Sequence, residues 1–135
     1  LAGRGEVRAR QAFNEVSRST EYGEASEDFS GFLLGTSEVK PDWERLDRLW
    51  FICRDLLGVS AGTDHAALLC LLGWIEWAKG RGSLALNLLK AALRTNPEYR
   101  LAQLLLRLLE AGEMPSWVAD PERAWHRKLD GRLSA

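Results

Sequence analysis

The residues that could carry out acid–base chemistry in this sequence are few and stand far apart. Glu76 is the one acid within a long apolar stretch, and a buried carboxylate can act as a general acid. No clear nucleophile or second carboxylate accompanies Glu76, so pairing with an arginine or a lysine explains it more simply. We predict no catalytic residue. The alternative is an enzyme, or a regulatory domain of one, with Glu76 near a pocket between the second and third predicted helices.

The cysteines and histidines lack the spacing of a metal site. A zinc site needs four ligands, and Cys53, Cys70, His65 and His126 supply neither a CxxC nor an HxxxH pair. We therefore predict no metal and no cofactor. A disulfide between the two cysteines would need Cα atoms within ~7 Å. A small secreted scaffold would carry more than two cysteines, so we expect a cytoplasmic location and, in it, two reduced thiols in the core.

Two groups of polar and basic residues could contact an acidic partner or a nucleic acid. One is a stripe at helical spacing formed by Asn87, Lys90 and Arg94. The other is a basic C-terminal tail that contains Arg123, His126, Arg127, Lys128 and Arg132. The formal net charge is −1, whereas a nucleic-acid-binding domain shows a large positive excess. We expect solvated surfaces, with weak nucleic-acid binding through the tail as an alternative.

The elements that must position these residues are α-helices. Hydrophobic residues make up 46% of the 135-residue chain and charged residues 27%, which is typical of one globular domain. From Pro41 onward, apolar residues at helical spacing and Pro, Gly and Asn punctuation predict four main helices. They cover 42–57, 64–79, 84–95 and 98–111, and Asp120-Pro121 should open a final short helix.

The second predicted helix is apolar nearly all round, so it must be buried nearly all round at the centre of the domain. Its longest uncharged run, Ala66 to Ile75, is half the length that a membrane-spanning helix needs. The first predicted helix has an apolar face formed by Trp43, Leu46, Leu49, Trp50, Cys53, Leu56 and Leu57. The fold class is therefore an all-α bundle, with residues 41–135 as the helical domain.

Residues 1–40 form a mostly irregular N-terminal arm. Residues 17–31 are rich in Ser, Glu and Gly and cannot bury enough apolar area to offset chain entropy, which predicts a flexible linker. Within the arm lies one apolar group, Phe29, Phe32, Leu33 and Leu34. We predict that this group docks on the helical body, or on a second copy as an exchanged arm.

A sparse pattern of small and bulky positions spans residues 66–99. It reads Leu69-x2-Leu72-Gly73-x2-Glu76, Gly80, Ala85-x3-Leu89-x2-Ala92 and Pro97. This pattern resembles one tetratricopeptide repeat, a helix-turn-helix unit of about 34 residues, although Leu69, Glu76 and Leu89 fill its aromatic positions. The resemblance implies a peptide-binding groove lined by the first helix, with Trp74 and Trp77 as partner anchors. The alternative is that helix 42–57 covers these tryptophans and both are core.

A wider stretch, residues 63–118, carries Leu72-Gly-Trp-Ile-Glu-Trp-Ala-Lys-Gly-Arg-Gly and, further on, Asn-Pro-Glu-Tyr-Arg-Leu-Ala. It looks like the C-terminal part of an actinobacterial family known only as a domain of unknown function. That resemblance implies no activity. Together with a start at Leu1 rather than Met, it leads us to expect one domain of a longer protein. The predicted role is a non-catalytic protein–protein interaction or assembly module, with a protein, a peptide or a second copy as its partner and no membrane.

Overall fold

The computed structural model describes residues 29–127 of the chain. Within this range the order of elements is α1 (Trp43–Leu57), α2 (Gly62–Ala78), α3 (Gly82–Thr95), α4 (Arg100–Glu110) and a short 3₁₀ helix (Ser116–Ala119). None of the described residues is in a β-strand. The predicted all-α bundle of four main helices is confirmed, and each predicted helix overlaps an observed one.

The ends of α1 follow from its sequence. The Asp42 carboxylate accepts a hydrogen bond from the Arg45 backbone N–H at 3.2 Å, which satisfies one of the free amides of the first turn. Gly58 follows the last helical residue. Leu46 and Cys53 are the buried residues of the helix, so α1 lies at the edge of the bundle with one side against its neighbours.

The second helix, α2, lies at the centre of the bundle. All seven residues from Leu72 to Ala78 are buried, as expected for a helix that is apolar nearly all round. The helix packs most closely against α3, and Gly73 lies at that contact. A Cβ atom added to Gly73 would lie 3.0 Å from the Leu89 side chain and 3.4 Å from the Ala85 carbonyl oxygen. The glycine therefore lets the two helices approach closely.

The chain on either side of the four helices meets on the surface of α2. Residues 29–33 are helical, and Leu34 belongs to the same hydrophobic core as α2. The Ser116 backbone N–H donates to the Gly35 carbonyl oxygen at 2.7 Å, and the Ser116 hydroxyl donates to the Ser37 carbonyl oxygen at 2.8 Å. Residues 34–37 and 115–117 thus form one joined layer over the central helix.

The final short helix predicted from Asp120-Pro121 is wrong. Residues 121–124 form a turn instead, in which the Asp120 carboxylate accepts from the Glu122 backbone N–H at 3.0 Å. This bond has the geometry of a helix N-cap, and the Ala124 backbone N–H donates to the Asp120 carbonyl oxygen at 2.8 Å. The helix does not continue, however, and residues 125–127 are irregular. The predicted arm before residue 29, and Lys128 and Arg132 of the basic tail, fall outside the described residues.

Candidate functional site

The two tryptophans predicted as partner anchors are covered by the chain itself. Trp74 is 4% exposed and Trp77 is fully buried. The Trp74 indole N–H donates to the Leu33 carbonyl oxygen at 2.7 Å, and that of Trp77 donates to the Glu113 carbonyl oxygen at 2.9 Å. Each of the two indole rings is thus enclosed by the chain, and each indole N–H has a hydrogen-bond acceptor within the fold. Partner capture through these two side chains would require the covering segments to leave, so it stays a prediction that the described conformation does not favour.

The apolar group of the N-terminal arm lies against these tryptophans. The Phe32 ring centroid is 5.2 Å from that of Trp74 and 5.4 Å from that of Trp117. Leu34 is buried and Leu33 is half-buried, whereas Phe29 is exposed. Three of the four predicted docking residues therefore lie against the body in the described conformation. Whether the same segment also docks on a second copy stays a prediction.

Indole-to-carbonyl hydrogen bonds recur across the bundle, and sequence reasoning did not find them. Trp117 is fully buried and donates to the Ala78 carbonyl oxygen at 2.7 Å, while Trp43 donates to the Arg123 carbonyl oxygen at 2.9 Å. Together with Trp74 and Trp77, four indoles each bind a main-chain carbonyl at least 36 residues away. A buried indole needs an acceptor, and here that need ties distant segments to one core.

A charged cluster lies at the carboxyl end of α2. The buried Glu76 carboxylate is 3.5 Å from the Arg81 guanidinium, and the buried Lys79 ammonium is 2.9 Å from the Asp47 carboxylate. The Trp125 ring covers both cations, with its centroid 4.7 Å from Lys79 and 4.6 Å from Arg81. Two acids face two bases, so the cluster is balanced in charge. Glu76 is closed against an arginine, which weakens its case as a general acid.

The thiols and imidazoles do not assemble into a reactive site. Cys53 and Cys70 are both free and buried, and burial raises the pKa of both thiols, that of Cys70 to about 12. The His65 ring is 2.9 Å from the Ser60 hydroxyl, and the His126 ring is 2.7 Å from the Pro121 carbonyl oxygen. Over residues 29–127, no group of three His, Cys, Asp or Glu side chains is arranged to hold a metal ion.

The basic residues predicted as partner contacts have different surroundings. Asn87, Lys90 and Arg94 are exposed on the side of α3 away from α2, where water can solvate them. Arg123 instead links the ends of the described chain. Its guanidinium donates to the Asp120 carboxylate at 2.7 Å and to the Ser37 carbonyl oxygen at 3.1 Å. That side chain is therefore a structural tie rather than part of a free tail.

An exposed apolar strip on α1 and on the turn after it, which contains Val59, is the feature that the sequence interpretation missed. Phe51, Ile52, Leu56 and Val59 are 52%, 54%, 47% and 84% exposed. We call this strip the α1 outer face. Leu56 was predicted on the buried side of the helix, and that prediction is wrong because the bundle covers only the side of Leu46 and Cys53. The signal was present, since these apolar residues share a second side at helical spacing.

Comparisons with known proteins give a family and no function. Residues 34–116 match the model of a family described as a domain of unknown function, DUF4192. The match takes in α1 to α4 and ends at the first residue of the 3₁₀ helix. No curated protein and no solved structure matches the chain. None of the helices in the described part of the chain is long and apolar enough to cross a lipid bilayer.

Proposed function

This chain belongs to the DUF4192 family of domains of unknown function, and we propose that it is a non-catalytic protein–protein interaction or assembly module. The observation that carries the proposal is the α1 outer face. Of the eight large hydrophobic residues that are strongly exposed in the described range, four lie within residues 51–59. Single exposed apolar side chains are ordinary, but a cluster on one side of a helix and the turn that follows it is typical of a binding surface.

The bundle holds α1 so that this face is presented on a fixed element. The Trp43 indole N–H binds the Arg123 carbonyl oxygen, and Asp47 pairs with the buried Lys79. Both contacts tie α1 to other parts of the bundle. A surface on a rigid helix loses less conformational freedom on binding than a surface on a loop, which supports a role in recognition.

The proposal includes a tetratricopeptide-like hairpin formed by α2 and α3. Gly73 against Leu89, the turn at Gly80 and Pro97 after the end of α3 agree with the spacing of that repeat. In this proposal the α2 tryptophans bind the main-chain carbonyls of Leu33 and Glu113 as the groove of such a repeat binds a peptide. Exchange of the segment around Leu33 between two copies would be one route to assembly.

We also propose a cytoplasmic location and an actinobacterial origin. The location is supported by the two free, buried cysteines, because a small domain of an oxidising compartment usually carries disulfides. The origin rests on the resemblance of residues 63–118 to an actinobacterial family.

The experiment is affinity capture from native lysate with three versions of the tagged chain. Ile52→Asp places a charge in the middle of the α1 outer face. Leu84→Asp places a charge on α3 instead, and Leu84 is 48% exposed compared with 54% for Ile52. We expect Ile52→Asp to lose the captured partner, and Leu84→Asp to retain it. Circular dichroism checks that both variants stay helical. Equal capture by all three versions would remove the α1 outer face as the binding surface.

A further inference from the structure

We propose that the α1 outer face binds a second copy of this chain, with the two α1 helices antiparallel about a two-fold axis. The inference rests on the proposed function and names the partner of the same surface. The order of charged and apolar residues along one side of α1 suits self-association better than it suits another partner.

The charges that border the apolar strip lie on the same side of the helix. At about 100° per residue, Arg48, Ile52 and Asp55 follow one another at intervals of four and three positions, so they form one line along the helix. All three are exposed. Along this line Ile52 therefore has a positive charge on its amino-terminal side and a negative charge on its carboxyl-terminal side. Phe51 lies beside this line, and the Arg54 guanidinium lies 5.0 Å from its ring centroid.

A two-fold axis beside Ile52 makes this order self-complementary. The axis exchanges positions four residues before and four residues after Ile52, which brings Arg48 of one copy beside Asp55 and Leu56 of the second copy. The same pair forms again on the other side of the axis, as in any isologous interface. Two ion pairs then flank a centre made of Phe51 and Ile52 from both copies. Two positive or two negative flanks would repel in this arrangement.

The two charged side chains are available for such pairing. Within the described residues the Arg48 side chain makes no hydrogen bond and no ion pair. Asp55 has an ion pair with its neighbour Arg54 at 3.3 Å, and both side chains are exposed. An exposed pair of this kind contributes little, so Asp55 can bind a second arginine without losing much.

The charge balance of this side of α1 argues against a strongly charged partner. The exposed charged residues of α1 are Glu44, Arg45, Arg48, Arg54 and Asp55, so three are positive and two are negative. A nucleic acid, an anionic lipid surface or an acidic peptide needs a large local positive excess, and the excess here is a single charge. A second copy needs the alternation of charge and apolar contact that is found here.

The test is analytical ultracentrifugation of the full chain and its charge variants over a range of concentrations. We expect the wild type to form dimers, and Arg48→Asp and Asp55→Arg each to raise the dimer Kd by about tenfold or more, because each places like charges opposite one another. The double variant Arg48→Asp/Asp55→Arg reverses both charges and should return Kd to within about threefold of the wild-type value. Lys90→Asp, on the exposed side of α3, is the matched control and should leave Kd unchanged.

Three outcomes would overturn the pairing. One is a wild-type chain that stays monomeric up to about 1 mM, where even very weak complexes form. Another is a double variant no better than the single ones. The third is a dimer that none of the charge variants weakens, which would place the contact elsewhere on the chain. If a monomeric wild type still captures another protein that Ile52→Asp loses, the proposed function stands without the pairing. If Ile52→Asp changes neither mass nor capture, both proposals fail.

Discussion

The two neighbouring helices α1 and α2 place their apolar residues in opposite surroundings. In α2, Trp74 and Trp77 are covered by segments that arrive from both ends of the described chain. In α1, Phe51 and Ile52 remain about half exposed. The residue types are similar, so burial is decided by position in the bundle. A central helix has neighbours on all sides, whereas a helix at the edge keeps one side for water or for a partner.

The buried residues of α2 stabilise the monomer, whereas the exposed residues of α1 are available for recognition. The tryptophans of α2 were candidates for partner binding, yet their contacts are internal. The α1 outer face makes few contacts within the bundle and is free to bind. Four predictions, ordered by the size of the expected effect, can break or sharpen this division.

The largest effect is expected on replacing the buried Trp77 by alanine. Trp77→Ala leaves a cavity and an unpaired Glu113 carbonyl oxygen, and we expect it to lower the free energy of unfolding by about 3–5 kcal/mol. Phe51→Ala, on the α1 outer face, should change it by less than about 1 kcal/mol. Urea denaturation followed by tryptophan fluorescence measures both. Similar losses for the two variants would show that the outer face is part of the core energetics.

The next effect concerns Gly35, where the two ends of the described chain meet. Gly35 has φ +77°, and a Cβ atom there would lie 2.8 Å from both the Pro115 Cα atom and the Trp77 ring. We expect Gly35→Ala to lower the free energy of unfolding by about 2–3 kcal/mol, through strain and displacement of the layer over α2.

Gly62→Ala is the matched control for Gly35→Ala. Gly62 has φ +60°, but no atom lies within 4 Å of its would-be Cβ, so only the conformational penalty of about 1 kcal/mol applies. Thermal or urea unfolding gives both values. If both variants lowered the free energy of unfolding by the same amount, the close packing at Gly35 would add nothing to the cost of the substitution.

The buried thiols predict a pH dependence of smaller size. Burial raises the pKa of Cys70 from 9.0 to about 12, so the folded chain keeps the thiol neutral while the unfolded chain ionises it. Stability is therefore fully present below about pH 9 and is lost as the pH rises toward the folded-state value, with a slope of up to about 1.4 kcal/mol per pH unit.

Urea unfolding of the wild type and of Cys70→Ala between pH 8 and 10 tests this dependence, and the variant should show a smaller slope. The native thiols should also resist alkylation, because the reactive thiolate forms only after unfolding. Rapid modification of the native chain at neutral pH would contradict the burial of both cysteines.

The smallest effect is expected at Ile52. Because its side chain is about half exposed and faces away from the bundle, Ile52→Asp should change the free energy of unfolding of the monomer by less than about 0.5 kcal/mol. Measured at low protein concentration, this value isolates the monomer from any assembly. A loss of several kcal/mol would place Ile52 among the residues that hold the fold, and would end its use as a probe of binding.

The helices could be predicted from the sequence because their signals are local. The spacing of leucines and tryptophans fixed the existence of α1 to α4, and the nearly all-apolar composition of α2 identified the central helix. The side of α1 that faces the bundle was harder to assign. Leu56 is the penultimate residue of α1 and lies between its buried and its exposed side. Both sides of the helix carry apolar residues, so the pattern alone does not show which side faces the bundle.

The tryptophan contacts could not be predicted because their acceptors carry no signature. Every residue has a carbonyl oxygen, so nothing in the types of Leu33, Ala78, Glu113 or Arg123 marks them as partners of an indole. The turn after Asp120 was misread for a related reason, since an aspartate before a proline is equally suited to opening a helix and to a turn closed by its own carboxylate. Local chemistry allowed both outcomes, and tertiary contacts such as that of Arg123 with Ser37 selected one.

The hydrogen bond between Ser116 and Gly35 has a mechanical and architectural consequence. The segments before α1 and after α4 meet at this bond, so the ends of the four-helix unit lie at neighbouring points. Such an arrangement tolerates insertion of a whole domain into a loop of another protein, or a circular permutation. A pulling force applied at residues 34 and 116 would act first on this hydrogen bond, before it stretched the helices that the tryptophan side chains hold together.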